Sequence, residues 1–255
     1  MQVPGGVMSA ARIQIPMPTA SNIHSHVNAI DWPRIAASLH ESGWARTGGL
    51  LTENECQELR ELYVNDALFR SRVVMARHRF GLGEYKYFAY PLPGLVAELR
   101  ESLYSRLAGV ANEWAEKLGS KAEYPASHPE FIKLCHAKGQ TRPTPLMLRY
   151  ESGGYNCLHQ DLYGAVYFPL QTVFMLDQTG RDFEGGEFVL VEQRPRAQSA
   201  AQVIAPKQGE GVIFTTRWRP VQGTRGHYKV NIRHGVSTVT SGVRHTLGIV
   251  YHDAE

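Results

Sequence analysis

The sequence predicts an α+β protein with a mainly β core and helices packed on one face. Two textures in the 255 residues point to this. Short runs rich in Val, Ile, Phe, Tyr and Thr crowd residues 145–251, broken by Gly153-Gly154, Gly185-Gly186, Pro195, Pro206, Gly223 and Gly242. Many short strands with turns at such spacing build a sandwich or barrel. Residues 31–119 instead carry apolar side chains at helical intervals. No clear linker separates the two textures. One unit over 29–255 is therefore expected, with helical support over about 29–140 and the strand core over about 141–255.

The elements follow in order. Residues 1–28 hold Pro4, Gly5, Gly6, Pro16 and Pro18 without periodicity and read as a loose, flexible arm. Asp31 is placed to cap a short helix with Pro33 in its first turn, ending near Glu41. Trp44 to Leu51 looks like a strand. Thr52-Glu53-Asn54-Glu55 has the spacing of a capping box, and Leu59, Leu62 and Tyr63 repeat at i, i+3 and i+4 behind it. The longest helix is expected at roughly 94–118, after Pro93. Leu95, Leu99, Leu103, Leu107 and Val110 form its apolar stripe, and Gly119 stops it. Strands are expected at 145–150, 166–176, 187–192, 201–205, 211–216, 229–234 and 243–251.

Composition narrows the class. Hydrophobic residues make up 43% and charged residues 20%, which excludes a disordered or collagen-like chain. The balance of 27 Lys+Arg against 24 Asp+Glu excludes a polybasic coat but not a local basic patch. No apolar run approaches the roughly 18 residues of a membrane helix, and the Pro-broken N-terminus makes a poor signal peptide. Cys56, Cys135 and Cys157 are scattered and odd in number, against a disulfide framework. A soluble, cytoplasmic protein is the expectation.

The chemistry concentrates in three places. His159 and Asp161 sit at i and i+2, so on a strand they share a face and can converge on one ion. His234, 75 positions later, ends another β-type run. Two imidazoles and one carboxylate make the facial set that suits non-haem Fe(II) with open positions, whereas zinc usually takes a closed tetrahedral or His/Cys-richer set. Taken alone, His159 and Asp161 also fit a surface hydrogen-bonded pair. Ten positions after His234, Arg244 and Thr246 share a face. A guanidinium fork with a hydroxyl is a receptor for a carboxylate, unless Arg244 bridges to a core Glu. Tyr150, on the strand before His159, either binds that carboxylate too or simply packs. Such a pocket suits a small diacid that chelates a metal at one end.

In order, His159-X-Asp161, His234 and Arg244-X-Thr246 resemble the 2-oxoglutarate- and Fe(II)-dependent dioxygenases, whose fold is a double-stranded β-helix, or jelly roll. The segments Leu148–Gly154, Phe183–Phe188, Gly211–Phe214 and His234–Arg244 are similar to the prolyl-hydroxylase-like branch. Gly83-Glu84-Tyr85-Lys86-Tyr87-Phe88 further resembles a bacterial group named Oxygenase-NA, a nucleic-acid-acting oxygenase family. The resemblance implies that His159, Asp161 and His234 hold Fe(II). Arg244, Thr246 and Tyr150 would then bind the far carboxylate of 2-oxoglutarate. Decarboxylation to succinate and CO2 would drive hydroxylation of a substrate C–H bond, with ascorbate as a stimulant. AlkB-type demethylases carry a second arginine six positions after the first, where this chain has Val250.

For the substrate, Thr215 to Val250 contains six basic residues and no acidic one. Arg217, Trp218, Arg219 and Arg225 are the expected contacts to an anionic partner such as nucleic acid; a solvated basic loop would look the same. Arg70, Arg72, Arg77 and Arg79 form a second basic cluster. A hydroxylase of a protein, peptide or small molecule is the alternative, and a silent jelly-roll binding module is a third reading.

Overall fold

A computed structural model describes residues 23–255. Its helices are α1 Ile23–Asn28, α2 Trp32–Ser42, α3 Glu53–Leu62, α4 Gly94–Lys117 and α5 His128–Ala137. The first strands are β1 Trp44–Gly49, β2 Phe69–Val74, β3 Gly81–Leu82, β4 Glu84–Phe88, β5 Leu146–Glu151, β6 Tyr155–His159 and β7 Leu170–Met175. They continue with β8 Phe183–Gly185, β9 Phe188–Gln193, β10 Ala200–Ile204, β11 Glu210–Thr215, β12 Trp218–Gly223, β13 Gly226–Val236 and β14 Val239–Val250.

Local chemistry sets the helix ends. Asp31 accepts the Arg34 N–H at 3.1 Å to start α2, and Gly43, with φ 77°, closes it. At α3 the capping box is complete. Thr52 Oγ1 accepts the Glu55 N–H at 3.2 Å, and the Glu55 carboxylate accepts the Thr52 N–H at 2.8 Å. Along α4, Leu95, Leu99, Leu103, Leu107 and Val110 are all buried.

Among the described residues fourteen strands make two antiparallel sheets. The larger runs β1-β11-β7-β14-β5-β4-β2, with β8 also paired to β14; the smaller runs β10-β9-β13-β6-β3, with β12 also paired to β13. This is the jelly-roll arrangement expected. The larger sheet works on both faces. On β14 and just beyond it, Leu247, Ile249 and Tyr251 join Leu103, Tyr104, Leu107 and Trp114 of α4 in the main core. The alternate residues Arg244, Thr246, Gly248 and Val250 line the cavity between the sheets. Arg100 of α4 clamps the helical layer to the strand end. It is buried, donates to Asp253 at 2.8 Å and to the Val250 carbonyl at 3.0 Å, and His136 of α5 meets the same carboxylate at 2.9 Å.

The structure departs from the sequence expectations in several places, and the strands β6 and β12 lie outside all the strand runs expected. The arm expected over 1–28 falls mostly on residues 1–22, outside the described residues; 23–28 instead form α1, with Ile23 and Val27 in the core. Residues 69–88, expected within the helical support, add the β2–β4 hairpin to the larger sheet. β2 leaves nearly every residue half-buried, so no alternation marks it. The helix α5 carries no long apolar stripe and was not expected. The strand expected over 166–176 starts only at Leu170. Pro169 lacks an N–H, and the Phe168 N–H is taken by the His252 Nδ1 at 3.1 Å. Among the described residues no helix is long and apolar enough to cross a membrane.

Candidate metal centre and cosubstrate pocket

The smaller sheet brings the histidines together. β13 and β6 are antiparallel neighbours, and His234 stands directly opposite His159. Their ring centroids are 4.2 Å apart. Asp161, two residues past the end of β6, turns its carboxylate between them: Oδ2 is 3.1 Å from His234 Nε2 and Oδ1 is 3.5 Å from His159 Nε2. One ligand atom from each of the three lies within 4.8 Å of the others. The carbonyl of Cys157 is 2.7 Å from His159 Nδ1. A proton on Nδ1 bonds that carbonyl and leaves the Nε2 lone pair free for a metal.

The carboxylate is held on both sides. Tyr163 donates to Oδ1 at 2.9 Å, and Gln171 of β7 donates to Oδ2 at 3.0 Å. Tyr87 of β4 in turn donates to the Tyr163 hydroxyl at 2.9 Å, with the Arg70 guanidinium 4.6 Å above the Tyr87 ring. Burial raises the Asp161 pKa, but the His234 and His159 imidazoles and the Gln171 hydrogen bond outweigh it, and the net shift is well downward. Burial, then repulsion from His159, lowers the His234 pKa against the pull of Asp161. Both shifts favour the forms that bind a cation, an ionised carboxylate and a neutral imidazole.

The opposite wall belongs to the larger sheet. Arg244 faces Tyr150 across β14 and β5, and Thr246 lies two residues on. The Arg244 side chain is only 1% exposed, yet its Nε and Nη1 have no hydrogen-bond partner. Its charge centre lies 5.5 Å from the Tyr150 ring and 6.0 Å from the Phe183 ring. Burial pushes its pKa down, opposed by Tyr150, Asp177 and Glu187, but a guanidinium keeps its proton in a protein. Gly186, with φ 63°, makes room, since a Cβ there would lie 2.8 Å from Arg244 Cδ. Burial pushes the Tyr150 phenol up to about 12, so it stays a donor, and its oxygen accepts from Asn156 at 3.3 Å.

A cavity of about 420 Å³ joins the two walls, lined by His159, Asp161, His234, Arg244, Thr246 and Tyr150 together. These residues fit the groups the sequence implies. Two imidazole nitrogens and a carboxylate are a hard-to-borderline donor set for Fe(II). A buried guanidinium with two unpaired N–H groups is costly, by about 1–3 kcal/mol for each group, until an anion meets it. A dicarboxylate spanning from the His/Asp set to Arg244 would supply that anion.

The expected substrate contacts lie elsewhere. Arg219 is 4% exposed and spent on Glu192, to which its Nε donates at 2.8 Å, so it is not free to meet a substrate. Arg217 stacks on Trp218 at 3.8 Å, and Lys229 lies over the same ring at 4.7 Å. Arg225 is exposed at the turn between β12 and β13. None of Arg217, Trp218, Arg219 or Arg225 lines the cavity that holds His159, Asp161 and His234. Sequence reasoning missed Tyr163, Gln171 and Tyr87. Tyr163 carried a usable signal, being two residues past Asp161; Gln171 carried none. Val250 lines the cavity and gives it an apolar wall where a second arginine would stand.

The chain matches, over residues 83–254, the model of the Oxygenase-NA family, described as oxygenases catalysing oxidative methylation of damaged DNA. An uncharacterized Mycobacterium tuberculosis protein, Rv2227, is 45% identical over 193 residues, covering 74% of this chain and 83% of the relative. A Pseudomonas putida prolyl-4-hydroxylase is similar in fold, with a TM-score of 0.54 at 14% identity over 88% of this chain and 99% of that one. A Phytophthora capsici prolyl 4-hydroxylase gives 0.55 at 16% identity, over 93% of this chain and 68% of that one. The class is that of the 2-oxoglutarate- and Fe(II)-dependent dioxygenases. Within it, the chain belongs to the Oxygenase-NA family.

Proposed function

We propose that His159, Asp161 and His234 hold Fe(II) while Arg244, with Thr246 and Tyr150, receives the distal carboxylate of 2-oxoglutarate. The enzyme then hydroxylates or oxidatively demethylates a C–H bond of an anionic substrate, a nucleic acid. The observation that carries this reading is the buried, unpaired guanidinium of Arg244 in the same cavity as the His-Asp-His set. Iron with 2-oxoglutarate and O2 supplies the oxidising power, with succinate and CO2 released.

The chain's own residues bind and orient. Tyr163 and Gln171 fix the Asp161 carboxylate, and Cys157 fixes the His159 ring. Arg244 presents a planar fork to a carboxylate, which gives direction as well as charge. Leu148, Val173, Phe188 and Phe214 line the cavity with apolar surface that keeps water from the reacting carbon. The family's description, which names damaged DNA, favours the nucleic-acid substrate.

Succinate release tests the reading. Protein with Fe(II) and 2-oxoglutarate should release succinate, faster with ascorbate and with single-stranded methylated oligonucleotides. Arg244→Lys should raise the 2-oxoglutarate requirement roughly tenfold or more, because an ammonium cannot form the fork. An unchanged requirement would remove Arg244 from the cosubstrate site. Stimulation by proline-containing peptides and not by oligonucleotides would move the assignment to a protein hydroxylase.

A further inference from the structure

The segment ahead of the metal strand forms a finger at the cavity mouth. After β2 the chain makes a single 3-10 turn over Met75–His78, then runs through Arg79 and Phe80 into β3. The finger is fixed to the strand that carries His159. β3 pairs with Tyr155 and Asn156 of β6, and the Cys157 N–H donates to the Phe80 carbonyl at 2.8 Å. Gly81 permits this approach, since a Cβ there would lie 2.2 Å from the Tyr155 carbonyl oxygen. Phe80 is thereby held beside Cys157, two residues before His159.

Its tip is built unlike an ordinary solvated loop. Phe80 is 47% exposed, and its ring stacks on that of His78 with centroids 5.3 Å apart and planes 23° from parallel. Arg79 lines the same cavity as His159 and Arg244. Its φ of 59° is a left-handed conformation that costs a non-glycine residue about 1–3 kcal/mol, yet a long cation is kept there. Arg77 and Arg79 have no acidic partner among the described residues, whereas Arg72 is paired with Glu84 and Arg70 donates to the Pro143 carbonyl. Leu158 and Leu162, both exposed, line the same cavity as Arg79 and Phe80.

We propose that this finger reads the substrate. The Phe80–His78 stack carries a planar base at the mouth, and Arg79 with Arg77 pairs with the adjoining phosphates. The assignment rests on the nucleic-acid reading above and places the contacts on residues 77–80, of which Arg79 and Phe80 line the cavity, in preference to the basic run at 217–225, which does not. A stacked aromatic pair offers a face that every base can use, and a guanidinium matches a phosphate with two parallel hydrogen bonds. Two unpaired cations flanking a stack complement alternating base and phosphate, not the neutral backbone of a peptide.

The experiment is the binding of a fluorescein-labelled single-stranded 12-mer DNA to the full chain loaded with Mn(II) and 2-oxoglutarate, read by anisotropy at several salt concentrations. Phe80→Ala should weaken binding roughly tenfold at every salt concentration. Arg79→Gly, which suits the backbone conformation and so leaves folding intact, should weaken it and lower the salt slope by about one. Arg225→Ala should change neither. If wild type binds the 12-mer and the finger variants bind it equally well, or if Arg225→Ala is the variant that weakens it, the finger assignment falls and the nucleic-acid reading stands. If wild type shows no salt-dependent binding at all, both fall together.

Discussion

At the scale of single residues the site depends on how one carboxylate is held. Asp161 has two oxygens and four neighbours around them, with His159 and Tyr163 at Oδ1. Gln171 shares Oδ2 with His234. Such outer hydrogen bonds orient a metal-binding carboxylate, and their loss typically costs 10- to 100-fold in metal affinity. Tyr163→Phe keeps the ring and removes only the donor, so the dissociation constant for Mn(II), measured by electron paramagnetic resonance, should rise about tenfold. Asp161→Ala should abolish binding. An unchanged constant in Tyr163→Phe would show that Gln171 holds the carboxylate without help. The His159-X-Asp161 pair was legible from its donor atoms and close spacing, but the shared strand face expected for it does not hold: β6 ends at His159, and Asp161 reaches the imidazoles from the loop that follows. Gln171 was not, because it reaches Asp161 from another sheet.

At the scale of elements, the helices stabilise the wall that carries Arg244. The α4 stripe packs on Leu247 and Ile249 of β14, whose alternate residues face the cavity. Leu103, fully buried in that seam, should cost about 2–5 kcal/mol on truncation to Ala, measured by urea unfolding. Glu101→Ala, on the exposed face of the same helix, should stay within about 0.5 kcal/mol. A loss below 1 kcal/mol for Leu103→Ala would mean that α4 is not essential to this core. The α4 stripe and the α3 capping box were readable because both are local patterns with a fixed spacing. The β2–β4 hairpin was not, since β2 at the sheet edge is half-buried almost throughout and β4 buries Lys86, Tyr87 and Phe88 in succession, so neither strand alternates.

At the scale of the whole molecule, acid should loosen the join between helices and sheet. His128 bonds the Tyr251 carbonyl at 2.8 Å, and His252 accepts the Phe168 N–H. Burial, then the Arg100 charge, lowers each to about 3. In the unfolded chain both titrate near 6.5. The unfolded state therefore binds more protons between pH 6.5 and 3, and stability falls as pH falls through that window. Each histidine contributes up to about 1.4 kcal/mol per pH unit there. The urea midpoint of metal-free protein should drop clearly from pH 7 to pH 5, before most carboxylates titrate. A flat profile would contradict neutral burial of the two rings.

The sequence by itself determined the class of fold, the His159, Asp161 and His234 set, and the shared strand face of Arg244 and Thr246. Each of these follows from strand alternation or from the identity of donor atoms, which local order fixes. Only the tertiary structure decided which cations are free. Arg219 reads as a surface base until Glu192 meets it, and Arg79 reads as one of four clustered arginines until β3 pins it to the metal strand. The partners that consume or spare a charge come from strands far apart in the chain, and their meeting depends on sheet order, which no local pattern encodes.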